Sequence, residues 1–200
     1  KGYWRIKSYF YDSERGIPGA VVNNKWKNSQ RQWDSSYFLQ GVFQKSIAHK
    51  YDLLVNAKYA DDRMRYLNPD TTLMLIDNTF KQKEVYISTA NRYRISNKWD
   101  AVLSADIQYN TLTSDLAGFV YPKRFTSLFA LASAADLGKV KMQGSILTTL
   151  VSERINSGNT AADDSVSTAP NKKEFTPAFF VSYKPINKHN FNIRAFYKHI

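Results

Sequence analysis

The sequence contains no cysteine, which excludes both a disulfide framework and a thiolate metal site. It also lacks any run of about 18 apolar residues, so no membrane-spanning helix is expected. No long segment repeats its apolar residues at helical spacing, and no signal peptide is recognisable at the start. The fold therefore has to be predicted from strand patterns.

Aromatic residues make up 14% of the 200 residues, with 13 Tyr and 12 Phe, yet the mean hydropathy is -0.47. A chain that is rich in aromatics but polar on average predicts strands with one apolar and one polar face. The net charge is +11, from 28 Lys+Arg against 17 Asp+Glu. A basic excess of this kind is compatible with nucleic acid, anionic lipid or an acidic ligand as partner.

Period-2 alternation is clearest between Trp99 and Asn110, where Leu103 and Ile107 share one side and Asp106 lies on the other. About ten residues of such alternation is the length that a tilted strand needs to cross a bilayer. We predict about nine strands of this kind, at residues 3–11, 35–47, 51–59, 84–95, 99–110, 125–135, 140–151, 175–184 and 191–198.

Short and long connections alternate strictly between these strands. The short ones are residues 48–50, 96–98, 136–139 and 186–190, and the long ones are about 16–31, 61–83, 111–124 and 153–174. Transmembrane barrels have short periplasmic turns, long outer loops and aromatic residues at the membrane boundary. The sequence therefore predicts an all-β fold, an antiparallel transmembrane β-barrel. A large water-soluble β-sandwich is the alternative.

Basic side chains on the polar side of the strands are expected to face the barrel interior, because each would cost roughly 2–4 kcal/mol in mid-membrane. The candidates are Lys58, Arg92, Arg94, Lys141 and Arg194. They could form an electropositive lumen that favours anionic solutes. They could equally be ordinary solvated charges that are balanced by strands elsewhere in the barrel.

No catalytic or metal site is predicted, and no cofactor. The three histidines, His49, His189 and His199, have no second ligand at metal-binding spacing. Paired acids at residues 61–62 and 163–164 could bind Ca²⁺ in loops, although such pairs are common without metal. No nucleophile elbow or glycine-rich phosphate loop is present. Aromatics and charges mostly fall on opposite strand faces, which argues against nucleic acid as a partner.

Several segments resemble TonB-dependent outer-membrane receptors of Bacteroidetes-type bacteria. The resemblance lies in residues 11–20 (YDSERGIPGA), 31–34 (RQWD), 56–60 (NAKYA), 77–86 (DNTFKQKEVY) and 119–125 (FVYPKRF), in that order. It implies a 22-stranded barrel that is plugged by an N-terminal domain and imports scarce nutrients with energy delivered through TonB. Residues 1–200 would then form part of a single mid-barrel domain, with the plug domain absent from this chain.

The resemblance also implies a set of functions and partners. A siderophore- or cobalamin-like chelate is favoured as the nutrient, and a SusC-like oligosaccharide importer or a passive porin or structural barrel are the alternatives. The implied partners are outer-membrane lipid, the TonB complex through the missing plug, a surface lipoprotein and a small-molecule ligand. Four aromatic residues assigned to loops are candidate stacking surfaces for that ligand, and loop packing is their alternative role: Tyr66, Phe80, Phe119 and Tyr121.

Overall fold

The computed structural model describes residues 2–18, 21–22, 25–26, 29–69, 75–157, 166–168, 171–185 and 192–199. Twelve strands lie in these ranges: β1 Gly2–Ile17, β2 Val21–Val22, β3 Lys25–Trp26, β4 Gln30–Ile47, β5 Tyr51–Asn68, β6 Ile76–Ser96, β7 Trp99–Ser114, β8 Val120–Asp136, β9 Val140–Ser157, β10 Val166–Thr168, β11 Lys172–Tyr183 and β12 Ile193–Lys198. Among the described residues, no helix is long and apolar enough to cross a membrane.

Nine long strands form one antiparallel sheet in the order β1-β4-β5-β6-β7-β8-β9-β11-β12. Each long strand pairs with the next one along the chain, which is the up-and-down order of a barrel wall. β10 pairs with β9, and β2 with β3 forms a separate two-stranded sheet. The prediction of nine strands is confirmed. The first residues predicted for the last strand lie outside the described residues.

The strand register divides the side chains into two faces, because successive residues of a strand point to opposite sides. On the apolar face, Leu103 of β7 lies opposite Leu131 of β8, which lies opposite Ile146 of β9. On the polar face, Asp106 of β7 lies opposite Ser88 of β6. We use the names apolar face and polar face in this sense for the whole sheet.

The apolar face is uncovered. Leu103 is 54% exposed and Ile107 is 42% exposed, and no second sheet packs over them in the described part of the chain. A β-sandwich would seal these side chains between two layers. The sandwich alternative is therefore wrong, and the fold is a section of antiparallel barrel wall.

Aromatic residues border the apolar face at two levels. Tyr51, Tyr93 and Trp99 lie next to the short turns, whereas Tyr59 and Tyr109 lie towards the long connections. From Trp99 to Tyr109 the strand advances about 34 Å, which at a tilt of about 40° spans roughly 26 Å. This height matches the apolar band of outer-membrane barrels, and we call the upper level, with Phe125 of β8, the upper girdle.

The short turns have the backbone that tight hairpins require. Lys50 donates its backbone N–H to the carbonyl of Ile47 at 3.1 Å, and the two residues between them, Ala48 and His49, have φ angles of 50° and 54°. Two central residues with positive φ match the right-handed twist of the flanking strands. Gly138 in the turn between β8 and β9 has a φ of 84°. The predicted turn at residues 186–190 lies outside the described residues.

The long connections are shorter than predicted. β5 continues from Tyr59 to Asn68 and β6 begins at Ile76, so that most of the predicted 61–83 loop is paired strand. The predicted 111–124 loop likewise shrinks to five residues, 115–119. The bilayer length defines only the membrane-crossing part of a strand. Beyond it both faces meet water, so the alternation fades while the backbone hydrogen bonds continue.

Candidate functional site

The polar face carries all five basic residues that were predicted to share one side of the sheet. The register places Lys58, Arg92, Arg94, Lys141 and Arg194 on this face. Four of the five make ion pairs with carboxylates of this chain. For these four, the expectation that strands elsewhere balance them is wrong. Arg194 on β12 has no carboxylate within 4.0 Å in the described ranges.

Two arginines near the short turns form a crossed pair of salt bridges. The guanidinium of Arg94 lies 2.7 Å from Asp52 and also donates to the backbone carbonyl of His49 at 2.6 Å. Arg92 lies 2.6 Å from Asp100. In register, however, Asp52 is opposite Arg92 and Asp100 is opposite Arg94. Each carboxylate therefore has one arginine as ion-pair partner and a second one close by.

The middle of the polar face holds a less exposed pair. The Lys58 ammonium lies 2.9 Å from a carboxylate oxygen of Glu84, and the other oxygen of Glu84 accepts a hydrogen bond from Gln108 at 3.1 Å. Only 18% of the Glu84 side chain and 35% of the Lys58 side chain are exposed. Removal of either partner would leave a half-buried charge without compensation.

Among the described residues, the polar face has an open cavity at each end. The first, near the short turns, has a volume of about 610 Å³ and charged walls that include Arg92, Asp100, Asp136 and Lys141. Since these side chains form ion pairs with one another, the walls suit a hydrated passage better than acid–base chemistry.

The second cavity, which we call the upper cavity, lies towards the long connections and has a volume of about 450 Å³. Its lining combines Tyr11, Met64, Phe80 and Leu112 with the carboxylate of Asp62. The Ser36 hydroxyl donates a hydrogen bond to this carboxylate. A mixed apolar and polar concavity is the usual form of a small-molecule site.

An aromatic patch beside the upper cavity was not predicted. The ring of Tyr9 stacks on Phe38 at a centroid distance of 5.2 Å and on Tyr11 at 6.5 Å. The Lys58 ammonium lies 6.0 Å from the Phe38 ring. Tyr9 and Tyr11 share the polar face, but Phe10 between them carries the same kind of side chain on the other face. This break in the alternation concealed the patch in the sequence.

The four candidate aromatics do not form one group. Tyr66 lies in β5, Phe80 in β6 and Tyr121 in β8, so their assignment to loops is wrong, because the strands extend beyond the membrane-crossing length. Phe119 alone lies between strands, and its ring contacts Phe80 at 5.9 Å and Tyr121 at 5.8 Å, both edge to face. Tyr66 stands apart and donates a hydrogen bond to Gln30 at 2.9 Å. Of the four, Phe80 lines the upper cavity.

No metal centre is found in the part of the chain that the structure describes, where no three His, Cys, Asp or Glu side chains cluster. Asp61 and Asp62 are consecutive in β5, so their carboxylates point to opposite faces and cannot chelate one ion together. Asp61 instead lies 3.8 Å from Lys83. Residues 163–164 and His189 lie outside the described ranges.

A bidentate ion pair holds the ends of β5 and β6 together beyond the upper girdle. Arg65 donates two hydrogen bonds to Asp77, at 2.8 and 2.7 Å, and its guanidinium lies 5.2 Å from the ring centroid of Trp33. The hydrogen bonds from Arg65 lower the pKa of Asp77, and the same bonds raise the pKa of Arg65. This pair fixes the rim of the sheet at the long connections.

Comparison with known proteins identifies the fold. No family model matches the sequence, and no curated protein is similar to it. Among solved structures, the unliganded ferric citrate transporter FecA matches 93% of this chain with a TM-score of 0.58 and 11% identity. The siderophore receptor PiuA from Acinetobacter baumannii matches 92% of it with a TM-score of 0.63 and 10% identity.

These matches show the fold and not the substrate, because the identities are low. The chain spans 32% and 38% of the length of the two structures, about a third of each. The first matched protein is described as a transporter and the second as a receptor. The antiparallel barrel fold that the alternating strands predicted is confirmed.

Proposed function

We propose that this chain is part of the barrel wall of a TonB-dependent outer-membrane receptor of the Bacteroidetes type. In this proposal residues 1–200 belong to one barrel domain, and the protein imports a siderophore- or cobalamin-like chelate. The observation that carries the proposal is the likeness in fold to a ferric citrate transporter and a siderophore receptor. The uncovered apolar face supports it, since such a face suits contact with lipid.

The polar face then lines the lumen. Four of its five predicted basic residues are neutralised by carboxylates on neighbouring strands, as Lys58 is by Glu84. A neutralised wall does not hold an anionic chelate by charge alone, so the ligand can leave the wall once a passage opens. In this proposal, passage would be opened by a plug domain that contacts TonB.

Capture of the ligand falls to the upper cavity. Phe80 and Tyr11 offer aromatic surfaces, and Tyr66 lies farther along the same face. In this proposal Phe119 supports Phe80 from the connection between β7 and β8, because the two rings are in contact. Tyr121 lies on the apolar side of β8 and serves the ligand only indirectly.

One observation favours a second candidate, an oligosaccharide importer of the SusC type with a surface lipoprotein as partner. Tyr9, Tyr11 and Phe38 form a stacked aromatic surface on the polar face, and flat aromatic surfaces suit the apolar faces of sugar rings. The two candidates differ in the ligand and not in the fold.

Uptake assays on the intact protein test these functions. A deletion strain would be compared with the complemented strain for uptake of ferric citrate, ferric siderophores, cobalamin and oligosaccharides, with and without a protonophore. We expect energy-dependent uptake of a metal chelate only in the complemented strain. Uptake of oligosaccharide alone would favour the second candidate. Uptake that persists with the protonophore would identify a passive porin and contradict the proposal.

The site has its own test in the same strain. We expect Phe80→Ala to raise the ligand concentration needed for half-maximal uptake by about tenfold, because a buried aromatic contact contributes on the order of 1–2 kcal/mol. Val85→Ala is the matched control, since Val85 lies on the same strand but on the apolar face. Equal effects of the two substitutions would remove the upper cavity from the proposal.

A further inference from the structure

Charged residues that lie directly opposite each other on neighbouring strands usually have opposite signs, and two pairs depart from this rule. Five such pairs combine opposite signs: Asp52 with Arg92, Asp61 with Lys83, Arg94 with Asp100, Arg124 with Glu153, and Asp136 with Lys141. Two pairs combine like charges, Arg63 with Lys81 and Lys123 with Arg154. Like charges directly opposite in a sheet destabilise it. Both exceptions are basic, and they occupy neighbouring levels of the sheet, two residues apart along the strands.

The two exceptions share one face. Arg63, Lys81, Lys123 and Arg154 lie on the apolar side of the sheet, beyond the upper girdle, and all four are exposed. None of them has a carboxylate within 4.0 Å among the residues described. We call these four residues the basic collar. β7 lies between the two pairs, with Thr111 opposite Lys123 and Thr113 opposite Lys81.

The contrast is sharpest between β8 and β9. Lys123 faces Arg154 on the apolar side, whereas the adjacent Arg124 pairs with Glu153 on the polar side. The same two strands therefore neutralise their charge on one face and concentrate it on the other. Within the described part of the chain, the collar is therefore left without a counter-charge of its own.

The collar also has a shaped recess. A cavity of about 350 Å³ is lined by Arg63 and Lys81 together with Thr79, Thr113, Ser114, Asp115 and Tyr121. The Asp115 carboxylate accepts a hydrogen bond from the backbone N–H of Thr79 at 2.6 Å, and Tyr121 donates to the carbonyl of Ser114 at 3.2 Å. Two cations and one carboxylate leave the recess with a positive charge.

The level of the collar identifies the anion. Lys123 and Arg154 begin two residues beyond the girdle residue Phe125, which is about 7 Å along the strand, and Arg63 and Lys81 follow two residues further on. Aromatic girdles lie at the boundary between acyl chains and headgroups. Cations just beyond them meet headgroup phosphates, and basic side chains there attract anionic lipid.

We propose that the basic collar binds the phosphate groups of lipid headgroups in the leaflet around the long-connection end of the barrel. The lipid supplies the counter-charge that the sheet lacks, and it screens both like-charge pairs. This inference depends on the barrel fold but not on the identity of the transported nutrient. It adds a lipid site on the outside of the wall to the ligand site inside it.

The test uses the intact protein, purified from its membrane and returned to phosphatidylcholine vesicles with or without diphosphoryl lipid A. Retained lipid A is measured by native mass spectrometry after extraction. We expect Lys81→Gln and Lys123→Gln each to lower lipid A retention about fivefold, because each substitution removes one cation near a charged surface. Arg124→Gln, next to Lys123 but on the polar face, is the matched control and should retain lipid A normally.

Two further readouts separate a lipid site from other roles. In lipid A-free vesicles at low salt, Lys81→Gln should leave the stability unchanged or raise it, because it relieves the repulsion with Arg63. Added inorganic phosphate should not stabilise the protein against unfolding in place of lipid A. Equal retention by all variants, a loss with Arg124→Gln as large as with Lys123→Gln, destabilisation by Lys81→Gln without lipid A, or full replacement by inorganic phosphate would each overturn the proposal.

Discussion

Two consecutive residues of β7 provide a direct test of the orientation of the sheet in the membrane. Leu103 lies on the apolar face, about 13 Å along the strand from Trp99 and about 20 Å from Tyr109, so it sits near mid-depth. Ser104 lies on the polar face between Ala90 and Ala130, whose small side chains leave room for a longer one.

We predict that Leu103→Arg destabilises the intact protein by about 2–4 kcal/mol, the cost of an arginine facing lipid at mid-membrane. Ser104→Arg should change the stability by no more than about 0.5 kcal/mol, because the new cation would face water. Urea unfolding of the protein in lipid vesicles, followed by tryptophan fluorescence, measures both values. Equal destabilisation by the two substitutions, or a larger effect at Ser104, would refute the assignment of the apolar face to lipid.

Two other predictions concern ion pairs. We expect Glu84→Ala to cost about 1–3 kcal/mol of unfolding free energy, since it leaves the half-buried Lys58 without a partner, whereas Asp61→Ala in an exposed pair should cost less than about 1 kcal/mol. The lowered pKa of Asp77 means that its contribution to stability is complete above the ordinary value of 3.8 and is lost only as the pH falls through the lowered pKa. Arg65→Gln should move the midpoint of the Asp77 carboxyl titration, measured by NMR, back towards that ordinary value; an unchanged midpoint would contradict the assigned cause.

The ends of the strands at the short turns could be predicted closely from the sequence. Tyr51, Trp99 and Val140 were each predicted as first residues of strands, and the structure begins β5, β7 and β9 there. At a tight turn, polar and small residues are followed directly by alternating apolar and polar residues, so the first residue of the strand can be recognised from the neighbouring sequence. The opposite ends were missed by several residues, as in β5, because a strand in water on both sides carries no hydrophobic period.

The candidate site was predicted only where alternation alone determines it. The shared face of Lys58 and Arg92 follows from period 2 and was predicted. The ion-pair partner of Lys58 was not predicted. Glu84 lies diagonally across from Lys58 on β6, and its position depends on the pairing register of the two strands, which the pattern of one strand does not determine. The face of Tyr121 was also hidden, since the residues from Phe119 to Tyr121 do not alternate.

The two faces of the β8–β9 pair differ in how their charges are balanced, and we attribute this difference to the source of the counter-charge. A polar face enclosed by a barrel has restricted access to mobile ions, so a charge there is stable when the neighbouring strand supplies its partner, as Glu153 does for Arg124. In the proposed membrane orientation, the rim outside the barrel contacts headgroups that diffuse and carry charge of their own. Lys123 and Arg154 can then face each other without a protein carboxylate. Between β8 and β9, the pairing of charges therefore differs between the side that the barrel would enclose and the side that it would leave open.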